Sequence, residues 1–168
     1  MKLSDIDLSN IKMVIFDFDD TLAIHKDRDF MKKHFENGQE SKNNYYFDAY
    51  TNPDSFYDDI EPCEKSEALY RLTLLLRERG IKMYCLSGMK FSFHLKAKQA
   101  FVDKHYGKGI EVISAASQEL KLQGVKILQK VINCKENEIL FIDDRKTVIE
   151  LLVEGGVNGI LVSDLEVE

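Results

Sequence analysis

The chain has little of what marks several large protein classes. No stretch of its 168 residues approaches the roughly 20 consecutive apolar residues that cross a bilayer, so no membrane partner is expected. The opening decapeptide, MKLSDIDLSN, is too polar to be the apolar core of a secretory signal, and a cytoplasmic location is expected. There are three cysteines, Cys63, Cys85 and Cys134, an odd number with no CxxC and no paired histidine. That pattern points away from a disulfide framework or a zinc site and towards free thiols in a reducing compartment. The 2 prolines and 9 glycines form no linker, and no repeat or low-complexity segment interrupts the chain. Positive charge is also short: 23 basic against 29 acidic residues leave a net charge of −6. A nucleic-acid partner, which usually demands a basic face, is not expected.

What is present suits one soluble domain with a sizeable core, at 44% apolar and 31% charged residues. Five short apolar runs alternate with helical patterns, the signature of a parallel sheet flanked by helices. The runs are Ile11–Phe16, Ile81–Leu86, Ile110–Ile113, Glu138–Ile142 and Gly159–Val162. They are apolar on both faces, as buried parallel strands require. Between them, Leu69, Leu72 and Leu76 stripe one helix ended by Gly80, and Phe91 to His105 reads as a second with a basic outer face. Val125, Leu128 and Ile132 stripe a third ended by Asn133, and Thr147 to Glu154 forms a fourth stopped by Gly155 and Gly156. The expected fold is α/β, a right-handed, doubly wound, five-stranded parallel sheet over residues 1–168.

One segment breaks the alternation. Residues 22–66, from Leu22 to Ser66, carry Tyr45, Tyr46, Tyr50, Tyr57, Phe30, Phe35, Phe47 and Phe56 with no sheet-like pattern. A structureless loop of that length inside a domain is unusual, so a small inserted cap or lid is expected. Its aromatics either contact a ligand or pack the insert onto the body.

Ligands in an open parallel sheet gather at the carboxyl ends of the strands. Those ends carry Asp17, Asp19, Asp20 and Thr21, then Ser87 and Gly88, then Asp143 and Asp144, while the segment after the third strand reaches Lys121. Crowded carboxylates repel one another, and a hard divalent cation relieves this; magnesium is the usual partner of a few carboxylates plus a phosphate. A hydroxyl, an ammonium and strand-end N–H groups are the donors a phosphate dianion needs. A carboxylate nucleophile can form an aspartyl-phosphate, and a second carboxyl within reach can protonate the leaving oxygen.

The string IFDFDDTL resembles the first signature of the haloacid dehalogenase superfamily, a hydrophobic strand followed by Asp-x-Asp-x-Thr. Ser87 after KMYCL resembles the second, Lys121 the third at 23 residues before Asp144, and ILFIDD the fourth in its paired-acid form. All four occur in order between about Lys12 and Val162. The resemblance implies a magnesium-dependent phosphatase in which Asp17 is the nucleophile and Asp19 the general acid and base. It implies that Asp17, the Asp19 carbonyl and Asp144 face the metal, with Asp143 supporting its water shell. Thr21 would brace the loop, and Ser87, Gly88 and Lys121 would hold the phosphate. An acid at position 19 favours phosphate esters over halides, a trait that phosphomutases share.

The sequence departs from plain expectation at Asp20, one more acid in a crowded loop, and Lys126 is a rival to Lys121 from the middle of a helix. His25, His34, His94 and His105 lack metal-ligand spacing and read as surface or packing residues, with His25 the nearest to the site. A response-regulator-like phosphoacceptor domain is disfavoured because an acid pair follows Lys121. A catalytically inactive binding module of the same fold remains an alternative. The substrate is left open between a small phosphorylated metabolite and a phosphorylated macromolecule.

Overall fold

Four apolar residues, Met13–Phe16, form the first strand, β1, and all four are buried. Such a strand is stable only with both faces covered, and the computed structural model, which describes residues 1–52, 58–89, 91–115 and 118–167, shows how this is done. The remaining strands of the main sheet are β4 (Lys82–Gly88), β5 (Ile110–Ala115), β6 (Ile139–Asp143) and β7 (Asn158–Leu161), once the short β2 (Ala23–His25) and β3 (Ile60–Pro62) are counted. The sheet runs β5-β4-β1-β6-β7 with every neighbouring pair parallel. The chain thus winds outward from β1 to β4 and β5, then crosses to β6 and β7. This reversal puts the switch point of the sheet at the carboxyl end of β1.

The period of two in a strand divides the core. Val14 and Phe16 of β1, Met83 and Cys85 of β4, and Leu140 and Ile142 of β6 belong to one cluster. That cluster is completed by Leu69, Leu72 and Leu76 of α2 (Ser66–Glu78) and by Val102 and Tyr106 of α3 (Ser92–Tyr106). Met13, Ile15, Leu86, Ile139 and Phe141 face the other way, onto Val125 and Leu128 of α4 (Gln118–Ile132) and Ile149 and Leu152 of α5 (Lys146–Glu154). Gly80 ends α2 with φ 68°, the left-handed conformation that a glycine adopts without penalty. The doubly wound α/β architecture is therefore as expected, with strand and helix ends shifted by a residue or two.

Residues 22–66 contain β2 and β3, paired antiparallel with Ala23 opposite Pro62, and α1 (Gln39–Thr51) preceded by a π-helical turn over Lys32–Glu36. The two ends of this segment meet: the Cys63 N–H donates to the Leu22 carbonyl at 3.2 Å. The buried Tyr106 hydroxyl donates to the same carbonyl at 2.5 Å. The rings above largely contact one another. Tyr45 lies within 5.4 Å of Phe30, His34, Phe35 and Tyr46, centroid to centroid. Tyr46 and Tyr50 lean on Phe91 of the body at 6.1 and 5.9 Å. Phe47 is exposed, and Phe56 and Tyr57 lie outside the described residues. The three cysteines are buried free thiols, and among the described residues no helix is long and apolar enough to cross a membrane.

Candidate active site

The carboxyl ends of β1, β4 and β6 converge, and the pleat decides which way each side chain goes. Asp17 continues the parity of Met13 and Ile15, towards α4. Its backbone N–H extends the ladder to the Ile142 carbonyl at 2.9 Å, which fixes the carboxylate against the sheet. Lys121, buried on the first turn of α4, donates to Asp17 Oδ1. Lys126, one and a half turns on, is exposed.

Beyond Phe18 the chain turns sharply. The Phe18 carbonyl accepts from the N–H groups of Thr21, Leu22 and Ala23, and Asp20 adopts φ 58°. Aspartate tolerates that left-handed conformation better than most residues, which accounts for its presence where a glycine would also serve. The Thr21 hydroxyl is fully buried and has no hydrogen-bond partner among the described residues, so any bracing by Thr21 comes through its backbone.

Asp17, Asp143 and Asp144 bring one carboxylate oxygen each within 4.8 Å of one another. Burial, and less strongly the neighbouring Asp143 charge, push the Asp17 carboxyl up to about 6 against the pull of Lys121. Burial, with Asp143 and Asp17, pushes Asp144 up to about 7. Three carboxylates crowded at one sheet end, two of them costly to ionise chiefly because of burial, form a set that fits a hard divalent cation. The Asp19 side chain is not in this group. Its carboxylate points to the opposite side of the sheet end, 3.4 Å from Ser87 Oγ. Ser87 is fully buried at the end of β4, while Gly88 beside it pairs with Ala115 of β5.

Two cations in the site escape a reading of the sequence. Arg145, the residue after the acid pair, donates its backbone N–H to Asp143 Oδ1 at 2.9 Å, and its guanidinium lies 3.3 Å from the same oxygen. It also stands 3.9 Å from both Asp17 and Asp144. Its adjacency to the pair was the available signal. The outer face of α3 carries the exposed Lys96 and Lys104, but Lys98 of the same helix is buried and donates to Asp19 and Ser87. Nothing in a lysine on a helix marks it as inward.

The four histidines all contact rings. His25 stacks on Phe30 at 3.5 Å and His34 tilts against Phe30 and Tyr45, while His94 packs on Phe91 and Phe93 and His105 on Phe101. A cleft of about 380 Å³ opens beside Asp20 and Asp144, and its far wall includes His25, Arg28 and Phe30 of the inserted segment. Burial raises the Tyr45 and Tyr46 phenols, and the Asp19 charge adds to both shifts.

Comparison with solved structures shows the same fold in several proteins of low sequence identity. A candidate phosphatase from Clostridium difficile aligns over 95% of this chain and 95% of its own, with a TM-score of 0.63 and 15% identity. A candidate haloacid dehalogenase-like hydrolase from Bacteroides fragilis aligns over 89% and 86%, with a TM-score of 0.57 and 15% identity. A haloacid dehalogenase family enzyme from Bacteroides thetaiotaomicron, solved with magnesium and inorganic phosphate, aligns over 90% and 93%, with a TM-score of 0.55 and 16% identity. No protein-family profile and no curated protein sequence matches the chain. The fold is that of the haloacid dehalogenase-like hydrolases.

Proposed function

We propose that this chain is a haloacid dehalogenase-like phosphatase that uses magnesium and hydrolyses a phosphate monoester through an aspartyl-phosphate on Asp17. The observation that carries the reading is the meeting of Asp17, Asp143 and Asp144 around a common point, with Lys121 donating to the Asp17 carboxylate. That arrangement offers a buried, oriented nucleophile and a place for a cation on one side of it. The Bacteroides thetaiotaomicron neighbour holds magnesium and phosphate, which supports the same pair of ligands here.

In this reading a bond forms from an Asp17 oxygen to phosphorus as the ester oxygen leaves, and water later cleaves the acyl phosphate. Lys121 keeps Asp17 in one orientation and balances charge on the phosphoryl oxygens. Ser87 and the Gly88 strand end hold those oxygens, and Thr21 secures the turn that carries Asp19. Asp19 gives a proton to the leaving oxygen and takes one from the attacking water, work worth roughly 10²–10⁴ in rate. Magnesium would be held by Asp17, Asp144 and the Asp19 carbonyl, with Asp143 supporting from behind, and would neutralise charge on the transferring group. Residues 22–66 act as a small lid, since His25, Arg28 and Phe30 wall the cleft beside Asp20 and Asp144. The substrate is a small phosphorylated metabolite or an exposed phosphate on a macromolecule, and the protein works in the cytoplasm.

Purified protein assayed against a panel of phosphate esters tests this. Turnover should require a divalent metal, with magnesium sufficient and calcium poor, because calcium takes more ligands in looser geometry. Full activity after exhaustive chelation would defeat the metal assignment. Absence of turnover on every ester, with magnesium present, would leave the inactive binding module as the reading.

A further inference from the structure

Lys98 sits where the packing of α3 calls for an apolar side chain. His94, Phe101 and Val102, one helical turn before and after it, are all buried, and Lys98 itself is 2% exposed. An unpaired ammonium in such a place is strongly disfavoured, so its partners define its purpose. Its Nζ donates to Ser87 Oγ at 2.7 Å and to Asp19 Oδ2 at 2.9 Å, and it stands 4.3 Å from the centre of the Phe18 ring. One ammonium therefore ties together the ends of β1 and β4, on the side of the sheet opposite Lys121.

Resting on the phosphatase reading above, we propose that Lys98 is a positioning residue that acts through Ser87 and Asp19. A lysine ammonium has donors only. By occupying a lone pair of Ser87 Oγ, it turns the serine's own hydrogen away from itself. Among the described residues the acceptors then left to that hydrogen are distant, Asp19 Oδ2 at 3.4 Å and the Gly88 carbonyl at 3.5 Å. A phosphate oxygen brought to the strand end would be a better acceptor than either. The same ammonium holds Asp19, whose side chain is 55% exposed, in one place rather than leaving it to sample solvent. Lys121 and Lys98 thus divide the work: the first fixes the nucleophile, and the second fixes the proton donor and the hydroxyl that binds phosphate.

Inorganic phosphate binding measured by calorimetry with magnesium present reads the Ser87 arm without turnover. Ser87→Ala and Lys98→Met should each weaken binding by about tenfold, and the double variant should be no weaker than about twentyfold, because the two changes remove one interaction. Additive weakening of about a hundredfold would overturn the proposal. The Asp19 arm is read from kcat/KM for Lys98→Met on an aryl and an alkyl phosphate. The loss should grow from about tenfold on the aryl ester to about a hundredfold on the alkyl ester, whose leaving oxygen needs the proton. Equal losses would make Lys98 a packing residue. Should Lys98→Met not fold, Lys98→Leu, which likewise removes the donor, enters the same cycle with the same criterion. A wild-type protein without turnover would defeat the phosphatase reading, while the phosphate-binding cycle would still decide the part played by Lys98.

Discussion

The sheet and the segment inserted after β1 are held by different means. In the sheet, β1 and β6 are buried at every position, and the helices on both faces contribute leucines and isoleucines to two continuous clusters. In α1 the only buried residue among those described is Ala49, and Phe47 and Tyr50 are exposed. The inserted rings satisfy one another more than they fill a core. Aromatic pairs contribute about 0.5–1.5 kcal/mol each beyond area burial, so such a segment is secured by a few modest contacts. In the proposed reading the reacting groups lie on the rigid side, and the lid on the side that opens at lower cost.

The largest expected effect belongs to the rigid side. Asp17→Asn keeps volume and deletes the attacking oxyanion, so kcat should fall by more than about a thousandfold with the melting curve unchanged. Near-normal turnover by the folded variant would remove the nucleophile from Asp17. Lys121→Ala should cost about a hundredfold in kcat/KM, and Lys126→Ala less than about twofold, since the first touches Asp17 and the second faces solvent. A larger loss at Lys126 would reverse the choice between them.

Stability sharpens the contrast further. Leu72→Ala, at a fully buried position of α2, should destabilise by about 2–5 kcal/mol, and Tyr50→Ala, 67% exposed, by less than about 0.5 kcal/mol in denaturant titration. Equal costs would mean that the insert is as firmly built as the sheet. The smallest effect concerns selectivity. Removing Tyr46 and Tyr50 together should shift the kcat/KM ratio between a preferred ester and a minimal aryl phosphate by about tenfold. A ratio that stays put would assign both rings to packing.

The same contrast explains what could be read from the sequence. Strands buried on both faces are unbroken apolar runs, and Leu69, Leu72 and Leu76 advertise a helix face, so the sheet and its helices were legible. The meeting of Asp17, Asp143 and Asp144 was legible too, because strand ends carry these acids. The elements of the insert were not legible: β2 and β3 are three residues each, and α1 has no apolar stripe to signal its period. Lys98 was hidden for another reason. Helix position 98 becomes inward only once α3 is docked on the sheet, and a lysine gives no hint of that docking.

The bond from Cys63 to the Leu22 carbonyl, with Tyr106 clamped to the same oxygen, has a genetic consequence. The places where the segment leaves the body and rejoins it are adjacent, and Ala23 faces Pro62 across the neck. A gene encoding a short turn in place of residues 24–61 would span no gap, and strands β1 and β4 to β7 would keep their order. A segment whose ends meet in this way can change length at little entropic cost to the host sheet, whereas a single residue added within β1 would turn Asp17 to the opposite face.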